Sequence, residues 1–590
     1  MNTIAVLALA ALAIPTTPAG ETSSRAPVTK EPTAIGTGGA VATVDTDATR
    51  VGIEVLRGGG NAVDAAVATA AALGVTEPFS AGIGGGGFFV YYDAATQKVQ
   101  TIDGRETAPA AMRSNSFISE TGTPIPFNDA VASGLSVGVP GTPATWQKAL
   151  DAWGTRSLAQ SLRPAIDIAR HGFTVDQTFH DQVAAQTRFT YFAPTAELYL
   201  PGGSPPAVGS TFRNPDLALT YTLLGARGTN WLYDGSLADE IVQAVTHPPL
   251  VPGSTYHARP GLMQAGDLAG YEALSREPTH VRYRGLDVYG MAPASSGGST
   301  VGEALQILAN VDLSGLSRTE ALHYYAEASA RAYADRGAYV GDPAYVNVPL
   351  GELLSPGFAR ERFCTIDPLH ATPKPVPAGA PDGSYTDTCA TPAGAVSASH
   401  EGMSTTNLTV ADRWGNVVEY TLTIEQTGGS GIVVPGRGFL LNNELTDFNF
   451  APAVPNDPNL PAPGKRPRSS ISPTVLLQGG HPFVAVGSPG GASIITTVLQ
   501  ILIDRLDLGL TLPQAIADAR VSSRNSAGGL QREPAFDPAG LMALGHLFDP
   551  NPVEIGAATG IEFRPNGTTL AAAEPVRRGG GSAAVVTPTP

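Results

Sequence analysis

Apolar residues recur with helical spacing in two neighbouring segments near the start of the chain. The spacing of Ala and Val predicts one buried helix from Asp47 to Leu56 and a second from Asn61 to Leu73. Three glycines, Gly58 to Gly60, lie between the two segments, and they favour an end of the first helix and a start of the second. The Ala-rich faces predict that both helices pack closely against a sheet.

Runs of β-branched and aromatic residues predict strands elsewhere in the chain. FFVYYDA follows a glycine run at 82–87, and beyond residue 400 the segments MSTTNLTVA and VVEYTLTIE, joined by the turn DRWGN, predict a hairpin. SSISPTVLL and PFVAVGS predict further strands, and a helix is expected from about Ala492 to Arg505.

The middle of the chain has a different pattern. Roughly from 142 to 340, helical segments such as Thr142 to Trp153 alternate with Pro/Gly-rich loops, which predicts a mostly helical layer. From about 355 to 395 we expect order to weaken. Because strand runs are bounded by helices on both sides, the pattern indicates sheets covered by helical layers.

Two glycine motifs resemble functional signatures but have the wrong surroundings. Gly82, Gly84 and Gly87 fit G-x-G-x-x-G, yet the strand follows the glycines, whereas a dinucleotide site places it before them. The stretch 134–138 fits the G-x-S-x-G nucleophile elbow, but Val139-Pro140-Gly141 separates it from the next helix. We interpret both as tight turns.

Composition narrows the class of protein. The 590 residues include 36 Lys+Arg and 52 Asp+Glu, a net charge of −16, so nucleic acid and anionic membrane surfaces are not expected partners. A hydrophobic content of 42% with 15% charged residues predicts a folded chain rather than a disordered one. The 10 His and 2 Cys show no metal-ligand spacing, so we expect neither a metal nor a cofactor.

The N-terminus predicts export. The apolar run Ile4 to Ile14 is too short to span a bilayer but suits a signal-peptide core, although no Lys or Arg precedes it. Residues 1–33 are therefore interpreted as a signal peptide and linker, and the mature protein is expected to be secreted, without a membrane span. A disulfide between Cys364 and Cys389 would fit an oxidising compartment, although two unpaired thiols are the alternative.

Thr405 and Thr406 open the first strand of the predicted hairpin. Threonine is a common strand former, so this position alone does not indicate catalysis. A threonine at a chain N-terminus, however, has a general base in its own α-amino group. Catalysis of that kind would require cleavage of the chain before Thr405.

The run from Thr405 through NLTVADRWGNVVEYTLTIEQTGGSGIVVPGRGFLLNNELTDF closely resembles γ-glutamyltransferases, which are N-terminal-nucleophile hydrolases. RVGIEVLRGGGNAVDAAVA, IDGRETAPAAM, GVPGTPATW, APASSGG, PGKRPRSSISPT and GSPGGASIITTVLQ extend the resemblance over nearly all of residues 35–590. It implies an α+β fold of four αββα layers. It also implies self-cleavage between Ser404 and Thr405 into a large chain, 34–404, and a small catalytic chain, 405–590, which remain together as a heterodimer.

The resemblance also implies roles for individual residues. Thr405 would be the nucleophile, supported by the Thr423 hydroxyl, and Gly490 and Gly491 would stabilise the oxyanion. Binding roles fall to two groups of residues, donors at one end of the site and carboxylates at the other. The α-carboxylate would be held by Arg105, Ser469 and Ser470, and the α-ammonium by Glu425, Glu444 and Asp447.

Four features depart from the commonest family pattern. Asn407 and Glu425 stand where many relatives have His and Asn, and Arg468 stands at a place that is often apolar, where it would add positive charge near the acceptor side. Only 21 residues separate Asp447 from Ser469, which predicts a short lid and an acceptor side open to bulky donors or to water.

The resemblance thus implies an enzyme that transfers a γ-glutamyl group from a small-molecule donor to water or to an amine acceptor. Two alternatives remain open at this point. One is a glutaryl or cephalosporin acylase of the same fold, whose acyl group lacks the α-ammonium. The other is an unprocessed, non-catalytic binding protein.

Overall fold

The computed structural model of the protein describes residues 29–385 and 404–589. In these ranges the α-helices are α1 (Thr46–Arg57), α2 (Ala62–Thr76), α3 (Phe127–Val131), α4 (Thr142–Trp153), α5 (Leu158–His171), α6 (Gln177–Ala185), α7 (Ala193–Tyr199), α8 (Pro215–Arg227), α9 (Asn230–Tyr233), α10 (Ser236–Thr246), α11 (Ala265–Ala269), α12 (Gly297–Leu308), α13 (Arg318–Tyr339), α14 (Leu350–Leu353), α15 (Pro356–Cys364), α16 (Ile494–Leu506), α17 (Leu512–Ala517) and α18 (Ala539–Ala543). The strands are β1 (Thr33–Thr43), β2 (Gly86–Asp93), β3 (Lys98–Gly104), β4 (Phe173–Thr174), β5 (Thr211–Phe212), β6 (Leu274–Arg276), β7 (Thr279–Tyr283), β8 (Leu286–Gly290), β9 (Thr405–Asp412), β10 (Val417–Thr423), β11 (Thr474–Gln478), β12 (His481–Gly487), β13 (Val521–Ser522), β14 (Gln531–Arg532), β15 (Thr559–Phe563), β16 (Thr569–Ala573) and β17 (Ser582–Pro588).

One hydrogen-bonded path joins 13 of the described strands in the order β6-β3-β2-β10-β9-β1-β16-β15-β12-β11-β8-β7, with β17 paired to β1. Strand β1 is the junction, because Gly39–Ala42 pairs with β9 while Thr33–Gly36 pairs with β16. The path therefore divides into two sheets that share β1.

Three hydrophobic cores define the layers. The first packs α1, α2, α4, α5 and α8 on one face of β1, β2, β9 and β10, and the second packs α12, α13, α16 and α17 on β7, β8, β11, β12 and β16. The third core lies between the sheets and joins residues such as Ala42 and Val90 to Val475 and Ala485. These cores give the layer order αββα, which confirms the predicted α+β fold class.

The predicted hairpin is the centre of the first sheet. Strands β9 and β10 pair in the register Thr405↔Thr423 through Val417↔Ala411, and both are fully buried. Leu408 and Val410 belong to the core under the helices, so the strand period of two turns Thr405 toward the other sheet.

The glycine run 82–87 packs against this hairpin. A Cβ at Gly84 would lie 2.0 Å from the Leu440 carbonyl oxygen, and one at Gly85 would lie 2.1 Å from that of Thr423. The glycines are therefore needed for close backbone approach. The stretch 134–138, which fits G-x-S-x-G, contains a short 3₁₀ turn, Gly134–Ser136. The buried Ser136 hydroxyl in this turn donates to backbone carbonyls.

Several predicted elements form within a few residues of their expected bounds, and two expectations need correction. Residues 274–290, expected in a mostly helical layer, form β6 to β8 and complete both sheets. The region expected to lose order from 355 includes the capped helix α15, which begins after Ser355. Cys364 is disulfide-bonded, whereas Cys389 and residues 1–28 of the predicted signal peptide and linker lie outside the described residues.

Candidate active site

The peptide bond before Thr405 is held from both sides. The Ser404 hydroxyl donates to the Phe79 carbonyl oxygen at 3.0 Å and shares a 2.9 Å hydrogen bond with the Ser80 hydroxyl. On the other side, the Arg578 guanidinium donates to the Thr405 carbonyl oxygen at 2.6 Å. These contacts fix the backbone around the bond that the sequence predicts to be cleaved.

Thr423 faces this bond from the neighbouring strand. Its hydroxyl donates to the Ser404 carbonyl oxygen at 3.0 Å and accepts from the Thr405 hydroxyl at 3.3 Å. It also accepts from the Glu425 backbone N–H at 2.8 Å. One side chain therefore contacts both the predicted nucleophile and the carbonyl that this nucleophile would attack.

A narrow cleft of about 20 Å³ opens at Thr405. It brings together nine of the ten predicted site residues, together with two apolar side chains: the lining consists of Arg105, Thr405, Thr423, Glu425, Glu444, Asp447, Ser469, Ser470, Ile471, Gly491 and Ile494. Gly490 precedes the lining residue Gly491 along the chain. The sequence motifs that carry these residues are far apart in the chain and meet here.

Arg105 lines the cleft, is 1% exposed, and its guanidinium donates to the carboxylates of Glu444 and Asp447. It also donates to the backbone carbonyls of Pro467 and Arg468, at 3.1 Å each. Burial alone lowers the pKa of Arg105, but the charges of Glu444 and Asp447 raise it overall.

This geometry differs from the sequence prediction, which put Arg105 and the carboxylates at opposite ends of the site. The physical reason is that a buried guanidinium is stable only when anionic or carbonyl partners surround it. A substrate carboxylate that reaches Arg105 must therefore share or exchange these partners.

Ser469 and Ser470 lie on a segment that packs against the APASSGG motif. The Ser469 carbonyl oxygen accepts from the backbone N–H and the hydroxyl of Ser296, at 2.7 and 2.6 Å. The Ser470 hydroxyl accepts from Arg336 of α13 at 2.9 Å. The strand predicted over SSISPTVLL starts only at Thr474, since its first residues form the cleft wall.

Glu425 lies two residues beyond the end of β10 and has a positive φ of 78°. Because a left-handed backbone is unfavourable for a residue with a Cβ, local hydrogen bonds must hold it. Asn443 supplies them, donating from its side-chain amide to the Glu425 carboxylate and accepting from the Gln426 N–H at 2.9 Å. The 3₁₀ turn Glu444–Asp447 follows Asn443 and presents the other two carboxylates.

Gly490 precedes the 3₁₀ turn Gly491–Ser493, which Gly491 opens and which leads into helix α16. Their φ values of 138° and 55° lie in the region that favours glycine. A side chain at Gly490 would also meet the Ser493 hydroxyl at 2.9 Å. The pair therefore stands at the N-terminal end of a buried helix, where backbone N–H groups favour negative charge.

The sequence analysis missed some residues at this site. Arg336 and Arg578 reach it from α13 and the C-terminal region, and no local motif marks either. Glu106 adjoins Arg105 in sequence within IDGRETAPAAM, which was the available signal; it is buried, and burial and then Glu444 raise its pKa well above its ordinary value. The Arg468 guanidinium, which the sequence analysis expects near the acceptor side, donates to the carbonyls of Arg336 and Val340 at 3.2 Å each.

Within residues 29–385 and 404–589, no group of three or more His, Cys, Asp or Glu side chains is placed to hold a metal ion. In the same ranges, no helix has both the length and the apolar character needed to cross a membrane.

Comparison with known proteins agrees with this geometry. The family model for gamma-glutamyltranspeptidase matches residues 48–585. The glutathione hydrolase proenzyme of Bacillus subtilis (strain 168) is 39% identical over 559 residues, 92% of this chain and 91% of that protein. That of Escherichia coli (strain K12) is 36% identical over 519 residues, 86% and 84% of the two chains. The crystal structure of cephalosporin acylase from Bacillus halodurans has a TM-score of 0.80 and 28% identity, covering 96% of this chain and 99% of that one.

The four αββα layers and the threonine at the start of a central strand are those of an N-terminal-nucleophile hydrolase. Within that class, the family match and the identity to relatives over most of their length are decisive. The chain belongs to the γ-glutamyltranspeptidase family.

Proposed function

We propose that the chain cleaves itself between Ser404 and Thr405 and then transfers γ-glutamyl groups, through an ester on Thr405, to water or to an amine. The observation that carries this proposal is the Thr423 hydroxyl, which contacts both the Thr405 hydroxyl and the Ser404 carbonyl oxygen. The same pair of contacts suits two reactions on the same nucleophile.

In the first reaction, the Thr405 hydroxyl oxygen attacks the Ser404 carbonyl carbon. The C–N bond breaks, the Thr405 nitrogen takes the proton, and the acyl group is left as an ester that water hydrolyses. Thr423 donates to the carbonyl oxygen, where negative charge develops, and so lowers the barrier. The products are a large chain ending at Ser404 and a small chain beginning at Thr405.

In the second reaction, the new α-amino group of Thr405 is the general base, with an ordinary pKa of about 7.7 to 8. It accepts the hydroxyl proton as the oxygen attacks the γ-carbonyl of the donor, and this proton passes to the leaving amine. We assign the N–H groups of Gly490 and Gly491 to the oxyanion. Water or an acceptor amine then cleaves the γ-glutamyl ester.

The charges at the cleft favour a γ-glutamyl donor. Arg105 suits the α-carboxylate through its two-pronged guanidinium, with Ser469 and Ser470 as further donors. The α-ammonium requires anionic partners, and Glu425, Glu444 and Asp447 are the carboxylates that line the cleft. Glutathione and related γ-glutamyl compounds are therefore the proposed donors, in keeping with the names of the two glutathione hydrolase relatives.

We further propose that residues 34–404 and 405–590 remain together as a heterodimer of the two chains. The central sheet supports this, since β2 of the large chain pairs with β10 of the small chain, and β10 also pairs with β9 of the small chain. An extracytoplasmic location is proposed from the predicted signal peptide and from the disulfide at Cys364.

The acylase alternative is supported by the TM-score of 0.80 with a cephalosporin acylase. A glutaryl group has no α-ammonium, so three buried carboxylates at the acyl site would lack a charge partner from the substrate.

The deciding experiment compares kcat/KM for γ-glutamyl-p-nitroanilide and glutaryl-p-nitroanilide with the processed enzyme. We expect a preference of at least about 100-fold for the γ-glutamyl donor, because the glutaryl donor cannot form the charge-assisted hydrogen bond that the α-ammonium makes. Equal rates, or a preference for the glutaryl donor, would favour an acylase.

A further inference from the structure

A second cavity, of about 210 Å³, lies between the start of α1, the end of α2 and the segment before α6. Its walls combine an apolar side with an acidic side. The apolar residues are Phe173, Val175 and Val208, and the carboxylates are Asp45, Asp47, Glu77 and Asp176. Lys30 adds one positive charge, and none of these residues lines the cleft at Thr405.

Three of the four carboxylates have partners at hydrogen-bond or ion-pair distance. Asp45 caps α1 by accepting from the Ala48 N–H at 2.8 Å. Asp47 accepts from Arg50 at 3.0 Å. Asp176 caps α6 through Phe179 and pairs with Lys30 at 3.4 Å.

Glu77 differs from these three. Its side chain lines the cavity, is only 9% exposed, and makes no hydrogen bond or ion pair with any residue in the described part of the chain. A carboxylate at this depth without a hydrogen-bond donor is less stable as an anion than one in water. The ionised Glu77 carboxylate would therefore be stabilised by binding a positively charged ligand.

The walls indicate which cation fits. No described group of three or more His, Cys, Asp or Glu is placed to hold a metal ion, which disfavours a bare divalent cation. The apolar wall requires a ligand with a hydrocarbon part. We propose that this cavity binds a primary alkylammonium ion, with its NH₃⁺ group on Glu77 and its alkyl chain against Phe173, Val175 and Val208.

The charged groups around Glu77 set how binding depends on pH. Burial raises the pKa of Glu77 to about 8; Lys30 and Arg578 act to lower it, while Asp176 and Asp45 act to raise it. Asp45 has its own pKa raised by burial to about 6, and Asp47 is paired with Arg50. The ammonium binds the ionised carboxylate, so affinity must increase as the pH rises through about 8.

The test is a calorimetric titration of the full-length protein with n-butylammonium chloride at pH 9, with sodium chloride at equal ionic strength as the reference. We expect saturable binding by the wild type. Glu77→Gln should weaken it by about tenfold or more, since the charge-assisted hydrogen bond is removed. Glu54→Gln, which removes an exposed carboxylate of α1, is the matched control and should bind as the wild type does.

Titration of the wild type at pH 6.5 gives a second result that does not depend on any variant. Because Glu77 is then protonated, affinity should decrease by about tenfold or more relative to pH 9. Absence of saturable binding at pH 9, equal binding by Glu77→Gln, or an affinity that does not change with pH would each overturn the proposal.

Discussion

The hydroxyl of Thr423 lies 3.0 Å from the carbonyl oxygen of Ser404 and donates a hydrogen bond to it. This oxygen belongs to the peptide bond that precedes Thr405, so the donor is in place before any cleavage occurs. A fixed donor at the atom where charge develops stabilises the transition state without reorganisation.

Replacement of Thr423 by Val tests this donor while keeping the shape of the side chain. We expect self-cleavage to slow by about 100-fold, the usual effect of removing one oxyanion donor. The measurement is the fraction of cut chain against time on a denaturing gel. Thr421→Val is the matched control, because that hydroxyl lies on the same strand face but bonds to Asn407; it should leave the cleavage rate near that of the wild type. Cleavage of Thr423→Val at the wild-type rate would contradict the proposed role of the Thr423 hydroxyl as oxyanion donor.

Arg105→Lys tests recognition of the substrate carboxylate. Lysine keeps the charge but loses the planar pair of donors, so we expect KM for a γ-glutamyl donor to rise by about 100-fold with a smaller change in kcat. Arg113→Lys, at an exposed loop position, should leave KM unchanged. An unaltered KM in Arg105→Lys would show that the guanidinium does not bind substrate.

Glu425→Gln tests recognition of the α-ammonium. We expect kcat/KM for γ-glutamyl-p-nitroanilide to decrease by about 10- to 100-fold, the value of one charge-assisted hydrogen bond. The glutaryl analogue has no ammonium, so its kcat/KM should change little. Glu120→Gln, an exposed change of the same type, serves as the control. Equal losses for both donors would mean that Glu425 acts on the fold or the nucleophile rather than on the ammonium.

A pair of buried histidines predicts a loss of stability in acid. His323 Nδ1 and His546 Nε2 lie 2.8 Å apart, and their hydrogen bond joins the two chains that the proposed cleavage would produce. Burial lowers the pKa of His546 to about 4, against about 6.5 in an unfolded chain. Between about pH 4 and pH 6.5, His546 is protonated in the unfolded chain but neutral in the folded one. The stability that neutral His546 contributes is therefore present above about pH 6.5 and lost as the pH falls toward 4.

Urea unfolding of the uncut Thr405→Ala chain measures this effect. Between pH 7 and pH 4 the chain with His546 should lose on the order of 2 kcal/mol more than the same chain with His546→Gln. His257→Gln, an exposed substitution, should lose as much as the parent. A parallel decline with and without His546 would contradict the prediction.

The sequence predicted the hairpin and most of the cleft because their signals are local. An alternating pattern defines β9 and β10, and the motifs that carry Arg105, Glu444 and Ser469 are continuous stretches of sequence. The roles of Arg336 and Arg578 were not predictable, because each reaches the site through long-range contacts with no sequence pattern around it. Strands β6 to β8 were missed for a related reason: they are only three to five residues long, too short for periodicity to identify.

The contact between Arg105 and the carboxylates was also beyond sequence reasoning. Their charges predicted a site for a zwitterionic group, but not that the guanidinium itself would bond to Glu444 and Asp447. That arrangement depends on the depth at which the fold buries all three groups. Burial follows from the packing of two sheets and their helices, which no single motif encodes.

N-terminal sequencing of the purified protein after separation on a denaturing gel tests the central claim most directly. We expect two chains, the smaller at roughly 20 kDa by its share of the residues and beginning Thr-Thr-Asn-Leu, while Thr405→Ala stays as one inactive chain. A smaller chain that begins at another residue, or an uncut wild-type chain that still turns over γ-glutamyl donors, would contradict the assignment of Thr405 as the nucleophile.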